Sequence, residues 1–169
     1  LSFYAYSFTR QYINIADSAA RQARMSATHG ADAVLISKQV MDVYKGLTPE
    51  QKMLCGTTEY REYFSGIDTG KGSNYSTLLH ILTSTQNFSE VYDVYIAMYD
   101  RDDCRIIYIV DSDPDPETRL MPGEWEEVNR QGMMKFLGSD GSKKLYDIDY
   151  TSKYGLLCTV AVPIEDETS

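Results

Sequence analysis

The spacing of apolar residues changes period once, near residue 90, and that change constrains the fold more than any other feature of the chain. Before it, apolar and small residues recur in alternating steps of four and three, the spacing of one helix face. After it, they alternate with polar residues or run unbroken for five or six positions, as strands do. Helices first and strands later make an α+β fold, with an antiparallel sheet, rather than the βαβ alternation of a parallel one.

Residues 1 to about 45 read as one long helix. Leu1, Ala5, Phe8, Tyr12, Ile15 and Ala19 form a heptad-like seam, and a second stripe follows at Val34, Ile36, Val40, Met41 and Tyr44. Gly30 is expected to kink it. A helix of that length cannot bury itself entirely against a small sheet, so the seam is expected to pair two copies of the chain. Residues 46 to 90 form a helical segment. Gly46 is the expected C-cap, Thr48 to Gln51 a capping box with Pro49 at the first helical position, and short helices follow at 59–64 and 75–86.

Residues 91 to 169 carry the sheet. VYDVYIAMYD and CRIIYIV form a hairpin, the first strand placing Tyr92, Val94, Ile96 and Met98 on one face. A loop of about thirty residues follows, then a helix at 128–137 ended by Gly138-Ser-Asp-Gly141. LYDIDY and GLLCTVAVPI are the last two strands. The whole is one domain, and both ends read as cut from a longer chain. No apolar run approaches the length of a membrane span.

The net charge is −9 over 169 residues. All of it falls between Glu90 and Glu127, where twelve acids stand against three arginines. Nucleic acid is therefore an unexpected partner, since phosphate contacts need clustered Lys and Arg. Asp111, Asp113, Asp115 and Glu117 alternate like the start of a calcium loop, but that loop needs Gly at its sixth position and Glu at its twelfth, where this chain has Pro116 and Pro122. A solvated acidic loop stiffened by prolines is the stronger reading. Phosphate-binding, dinucleotide and nucleophile-elbow motifs are absent, and His29 and His80 lie in separate helices. No catalytic residue, metal or cofactor is expected. Cys55, Cys104 and Cys158 suggest no disulfide framework; Cys104 and Cys158 fall in strand-like runs. Asn74-Tyr-Ser76 and Asn87-Phe-Ser89 match the glycosylation sequon, a common chance match.

Three stretches, VYDVYIAMYDRDDCRIIYIVDSD, the MPGEWEEV loop and DIDYTSKYGLLCTVAVPIEDETS, resemble the extracytoplasmic Cache family, the PAS-like sensor domains of bacterial membrane receptors. The resemblance implies a PAS-like antiparallel sheet with a helical crossover, a last strand missing from this sequence, and membrane segments outside it. It also implies ligand sensing at the extracytoplasmic face of the membrane, with a small molecule held between sheet and crossover loop and the signal relayed through the N-terminal helix. The residues point the same way. Trp125 lies in a loop flanked by Glu124, Glu126 and Glu127, opposite a tyrosine-rich sheet, and aromatics with carboxylates form cages for ammonium groups. The expected pocket is Tyr95, Tyr108, Asp111, Trp125 and Tyr146, and the expected ligand bears an amine, as an amino acid does. Each aromatic could equally be core packing, and Asp111 could cap a turn. A cytosolic PAS- or GAF-like dimerisation module is the alternative, and an enzyme using Glu124 and Glu126 a more remote one.

Overall fold

The helix expected over residues 1 to 45 is two helices, α1 (Ser2–Gly30) and α2 (Ala33–Gly46). The break has a local cause. Gly30 is a poor helix former, and the Asp32 carboxylate accepts the Leu35 N–H at 2.8 Å and caps a new helix. Gly30 therefore ends a helix instead of kinking one. In this computed structural model, the described residues are 2–30, 32–137, 145–151 and 155–164. Leu1, the side chains of Ala5 and Phe8, and the helix end expected at 138–141 lie outside the described part.

Local signals set the next helices. At α3 (Pro49–Lys52), Thr48 and Gln51 form the expected reciprocal box, Thr48 N–H to Gln51 Oε1 at 2.8 Å and Gln51 N–H to Thr48 Oγ1 at 3.3 Å. Thr57 caps α4 (Thr58–Tyr63), and Ser73 caps α5 (Asn74–Ser89). Gly46 is the last residue of α2, with Leu47 as its C-cap.

Three strands form one antiparallel sheet in the order β1 (Tyr95–Asp100), β2 (Arg105–Asp111), β3 (Trp125–Glu127). Helix α6 (Arg130–Leu137) follows. Strands β4 (Leu145–Thr151) and β5 (Gly155–Ala161) pair with each other in a separate two-stranded sheet. Helix α1 packs on α5 and β5, while α2 and α5 pack on β2.

The core lies between the helices and one face of the three-stranded sheet. Val40, Tyr44, Tyr60, Leu78 and Leu82 meet Ile96, Ile107, Ile109 and Val110 there, all nearly or fully buried. Of the face expected on the first strand, Val94 and Ile96 join this core. Met98 is 39% exposed and Tyr92 precedes the strand. Cys104 is not in a strand. It occupies the hairpin turn with a φ of +52°.

A bulge decides what the other face carries. Ile96 opposes Val110, yet Ala97 opposes Tyr108, so Ile109 is an extra residue in β2. Strict alternation would send Tyr108 and Asp111 to opposite faces. With the bulge, Ile109 and Val110 both enter the core, and Tyr95, Tyr108 and Asp111 share the face turned away from α2 and α5.

Candidate functional site

The tyrosine-bearing face is built from short-range geometry. Tyr95 pairs with Asp111 across β1 and β2, and its ring lies 5.1 Å from that of Tyr108. The Tyr108 hydroxyl donates to Glu126 Oε2 at 2.9 Å, joining β2 to β3. Burial, reinforced by nearby negative charge, pushes both phenols up, so they remain protonated donors. Asp147 of β4 acts on Tyr99 of β1 and lies beside Gly132 of α6, so these later elements stand on the same side.

Below the two phenols sits a carboxyl pair. Asp111 is buried and accepts the Asp113 N–H at 3.1 Å and the Leu120 N–H at 2.8 Å. Asp93 accepts the Ser112 hydroxyl at 3.1 Å. Burial and then the Asp111 charge push Asp93 up to about 7. Asp93 was not singled out from sequence, although a lone carboxylate inside VYDVYIAMY was a visible signal.

The expected pocket residues divide accordingly. Tyr95, Tyr108 and Asp111 come together; Trp125 and Tyr146 do not join them. Trp125 is in β3, not in a loop, and pairs with Ile107, which turns its indole to the helix side of the sheet. The Arg105 guanidinium covers its ring at 3.7 Å, and the indole N–H donates to the Lys52 carbonyl at 3.1 Å. The Trp125 N–H also donates to Cys55 Sγ at 3.3 Å, and burial pushes that thiol up. Tyr146 lies in the separate β4–β5 sheet, 40% exposed, with Lys135 Nζ 5.4 Å from its ring centre.

The acidic window sorts into separate jobs. Asp100 and Asp103 meet Lys52 at 3.8 and 3.4 Å, and Asp103 also meets Arg105 at 3.2 Å. Glu124 is buried, with Arg61 Nε 2.8 Å from one oxygen and the Met121 N–H 2.7 Å from the other. Glu124 and Glu126 thus have different partners. The alternation of Asp111, Asp113, Asp115 and Glu117 makes a chain of turns. Asp111 accepts the Asp113 N–H, Asp113 accepts the Asp115 N–H at 2.9 Å, and Asp115 accepts the Glu117 N–H at 2.9 Å. After these, Asp93, Asp111 and Glu126 remain as the carboxyls gathered around Tyr95 and Tyr108.

No protein-family model, curated protein or solved structure matches the chain. Among the described residues, no helix is long and apolar enough to cross a membrane.

Proposed function

We propose that this chain is the extracytoplasmic small-molecule-sensing domain of a membrane signal-transduction receptor, with a Cache-type, PAS-like sheet, and that its ligand bears an amine. The observation that carries the reading is the two-faced sheet. One face is filled by α2 and α5, and the other gathers Tyr95, Tyr108, Asp93, Asp111 and Glu126 beside the loop that leads to β3. Among the described residues Asp93, Asp111 and Glu126 form no ion pair with a Lys or Arg, and clustered phenols and carboxyls favour an ammonium group electrostatically.

Helix α1 suits the role of relay. At 29 residues it extends about 43 Å. Its seam divides: Ala19 packs within the chain, while Tyr12 and Ile15 are 52% and 36% exposed. This outward half would pair with a second copy. A ligand that favours one of two positions of α1 would shift their populations by its differential affinity.

The test is a thermal-shift and calorimetric screen with amino acids, simple amines, a quaternary ammonium compound and small dicarboxylates. At a hundred times its Kd, a true ligand adds about 2.7 kcal/mol of stability. An amine that raises Tm in the parent but not in Asp111→Asn or Tyr108→Phe supports the reading. Equal shifts in parent and variants, or stabilisation by dicarboxylates alone, overturn it.

A further inference from the structure

We propose that Lys52 and Arg105 form an oxyanion site on the helix side of the sheet, which the chain's own Asp103 occupies and an external phosphate or carboxylate takes when Asp103 leaves. Two cations converge there on one atom. Lys52 Nζ lies 3.4 Å and Arg105 Nη1 3.2 Å from the same oxygen, Asp103 Oδ2. That point is where an oxygen of an entering anion would sit, with a charge-assisted contact to each cation.

Other groups than Asp103 also hold both cations in place. The Lys52 ammonium stands 4.3 Å from the centre of the Tyr44 ring, and the Arg105 guanidinium 3.7 Å from that of Trp125. Arg105 Nη1 also donates to the Tyr44 hydroxyl at 3.5 Å. Tyr44 is fully buried in α2, so one packed side chain touches both cations. The Lys52 and Arg105 side chains are only 15% and 14% exposed, and cations so withdrawn from water need an anion beside them. Asp103 is the exposed partner, at 43%. Without it, the two cations face Asp100, 3.8 Å from Lys52, as their remaining carboxylate among the described residues. An entering anion restores the balance of charge.

The guanidinium is also incompletely used. Asp103 engages Nη1, while Nε is buried with no acceptor among the described residues. A free phosphate or carboxylate can orient itself to take two guanidinium nitrogens at once, the stronger arrangement. Asp103 is tethered to the β1–β2 turn. That turn is closed from within, by Asp100 Oδ1 accepting the Asp102 and Asp103 N–H groups at 3.0 and 3.3 Å. The Asp103 side chain can therefore leave the cations while the turn keeps its own bonds.

A tethered carboxylate competes at an effective concentration on the order of millimolar, so removing it is what exposes the site. Trp125, the chain's one tryptophan, is stacked on Arg105 and reports occupancy through its fluorescence. Sodium phosphate and sodium malonate are titrated separately, against sodium chloride at equal ionic strength. In Asp103→Ala, one or both should change the emission saturably, with a midpoint at least tenfold lower than in the parent. A response to phosphate alone assigns the site to phosphate groups, and one to malonate alone assigns it to carboxylates. Adding Arg105→Gln or Lys52→Gln to Asp103→Ala should abolish the response. Asp103→Asn removes the charge at constant size and serves where the alanine variant does not fold. No amine enters this test, and the site lies on the opposite face from Tyr95 and Tyr108, so it and the sensor reading can fail separately. A response no larger than that to chloride, an equal midpoint in the parent, or one that survives loss of either cation overturns the site.

Discussion

The Arg105 guanidinium lies 3.7 Å above the Trp125 ring, so the aromatic face expected to receive an external cation already holds an internal one. Such a contact, half-withdrawn from water, is worth about 1 kcal/mol. Arg105→Gln should lower stability by about that amount in urea unfolding. Because Trp125 is the chain's one tryptophan, the same variant should also shift its fluorescence. Trp125→Phe should lower Tm yet leave amine affinity within about twofold by calorimetry, a change under 0.5 kcal/mol. A tenfold loss would return Trp125 to the binding site.

Gly123 should tolerate no side chain. Its φ is +85°, and a Cβ there would lie 2.1 Å from the Phe64 ring. Its carbonyl accepts the buried Tyr60 hydroxyl at 2.6 Å, which fixes the backbone against α4. Gly123→Ala is expected to destabilise by about 2 kcal/mol or more, combining left-handed strain with overpacking. Denaturant melts that coincide with the parent's would contradict this.

Glu124 should matter through its charge. Arg61→Ala leaves a buried carboxylate with one backbone donor, at a cost of about 1–2 kcal/mol because Arg61 itself is half in water. Glu124→Gln in the Arg61→Ala background should restore part of that loss. A double-mutant cycle measures the coupling, and strict additivity would show that the 2.8 Å contact carries no energy.

Stability should fall as pH rises from about 4 to about 7. In the unfolded chain Asp93 loses its proton near its ordinary value of 3.8, while in the folded chain it keeps it to about 7. Between those points the folded state binds more protons, so raising pH favours unfolding, and the penalty is complete above 7. At pH 8, Asp93→Asn should therefore be more stable than the parent, by about 1 kcal/mol once its partial exposure is allowed for, or roughly 2–4 °C in Tm. At pH 4 the difference should vanish. A parent more stable than the variant at pH 8 would contradict the assignment of the proton.

Where a feature depended on neighbours along the chain, it was legible. The Thr48–Gln51 box, the α+β order and the β1–β2 hairpin are local matters of capping and period, and all appear, though the two strands begin at Tyr95 and Arg105 rather than at Val91 and Cys104. The stop at Gly30 and restart at Asp32 were equally local, but the apolar stripes on either side of them were read as one helix. β3 was missed because three residues carry too little alternation to register as a strand.

The candidate site was half legible for a different reason. Tyr95, Tyr108 and Asp111 could be named from a tyrosine-rich sheet beside acids, but nothing in the sequence says that Ile109 bulges. That one extra residue decides whether Tyr108 and Asp111 share a face. Likewise, the acidic window is plain in the sequence, while its division among Lys52, Arg61, Arg105, backbone N–H groups and the Asp93–Asp111 pair is not. By itself the sequence determined the period of each segment, its caps and its charge, because these act over one or two turns of chain. Only the tertiary structure decided which acid meets a cation, which meets another acid, and which ring faces the core. Those outcomes depend on residues dozens of positions apart, whose distance is set by strand register and helix packing.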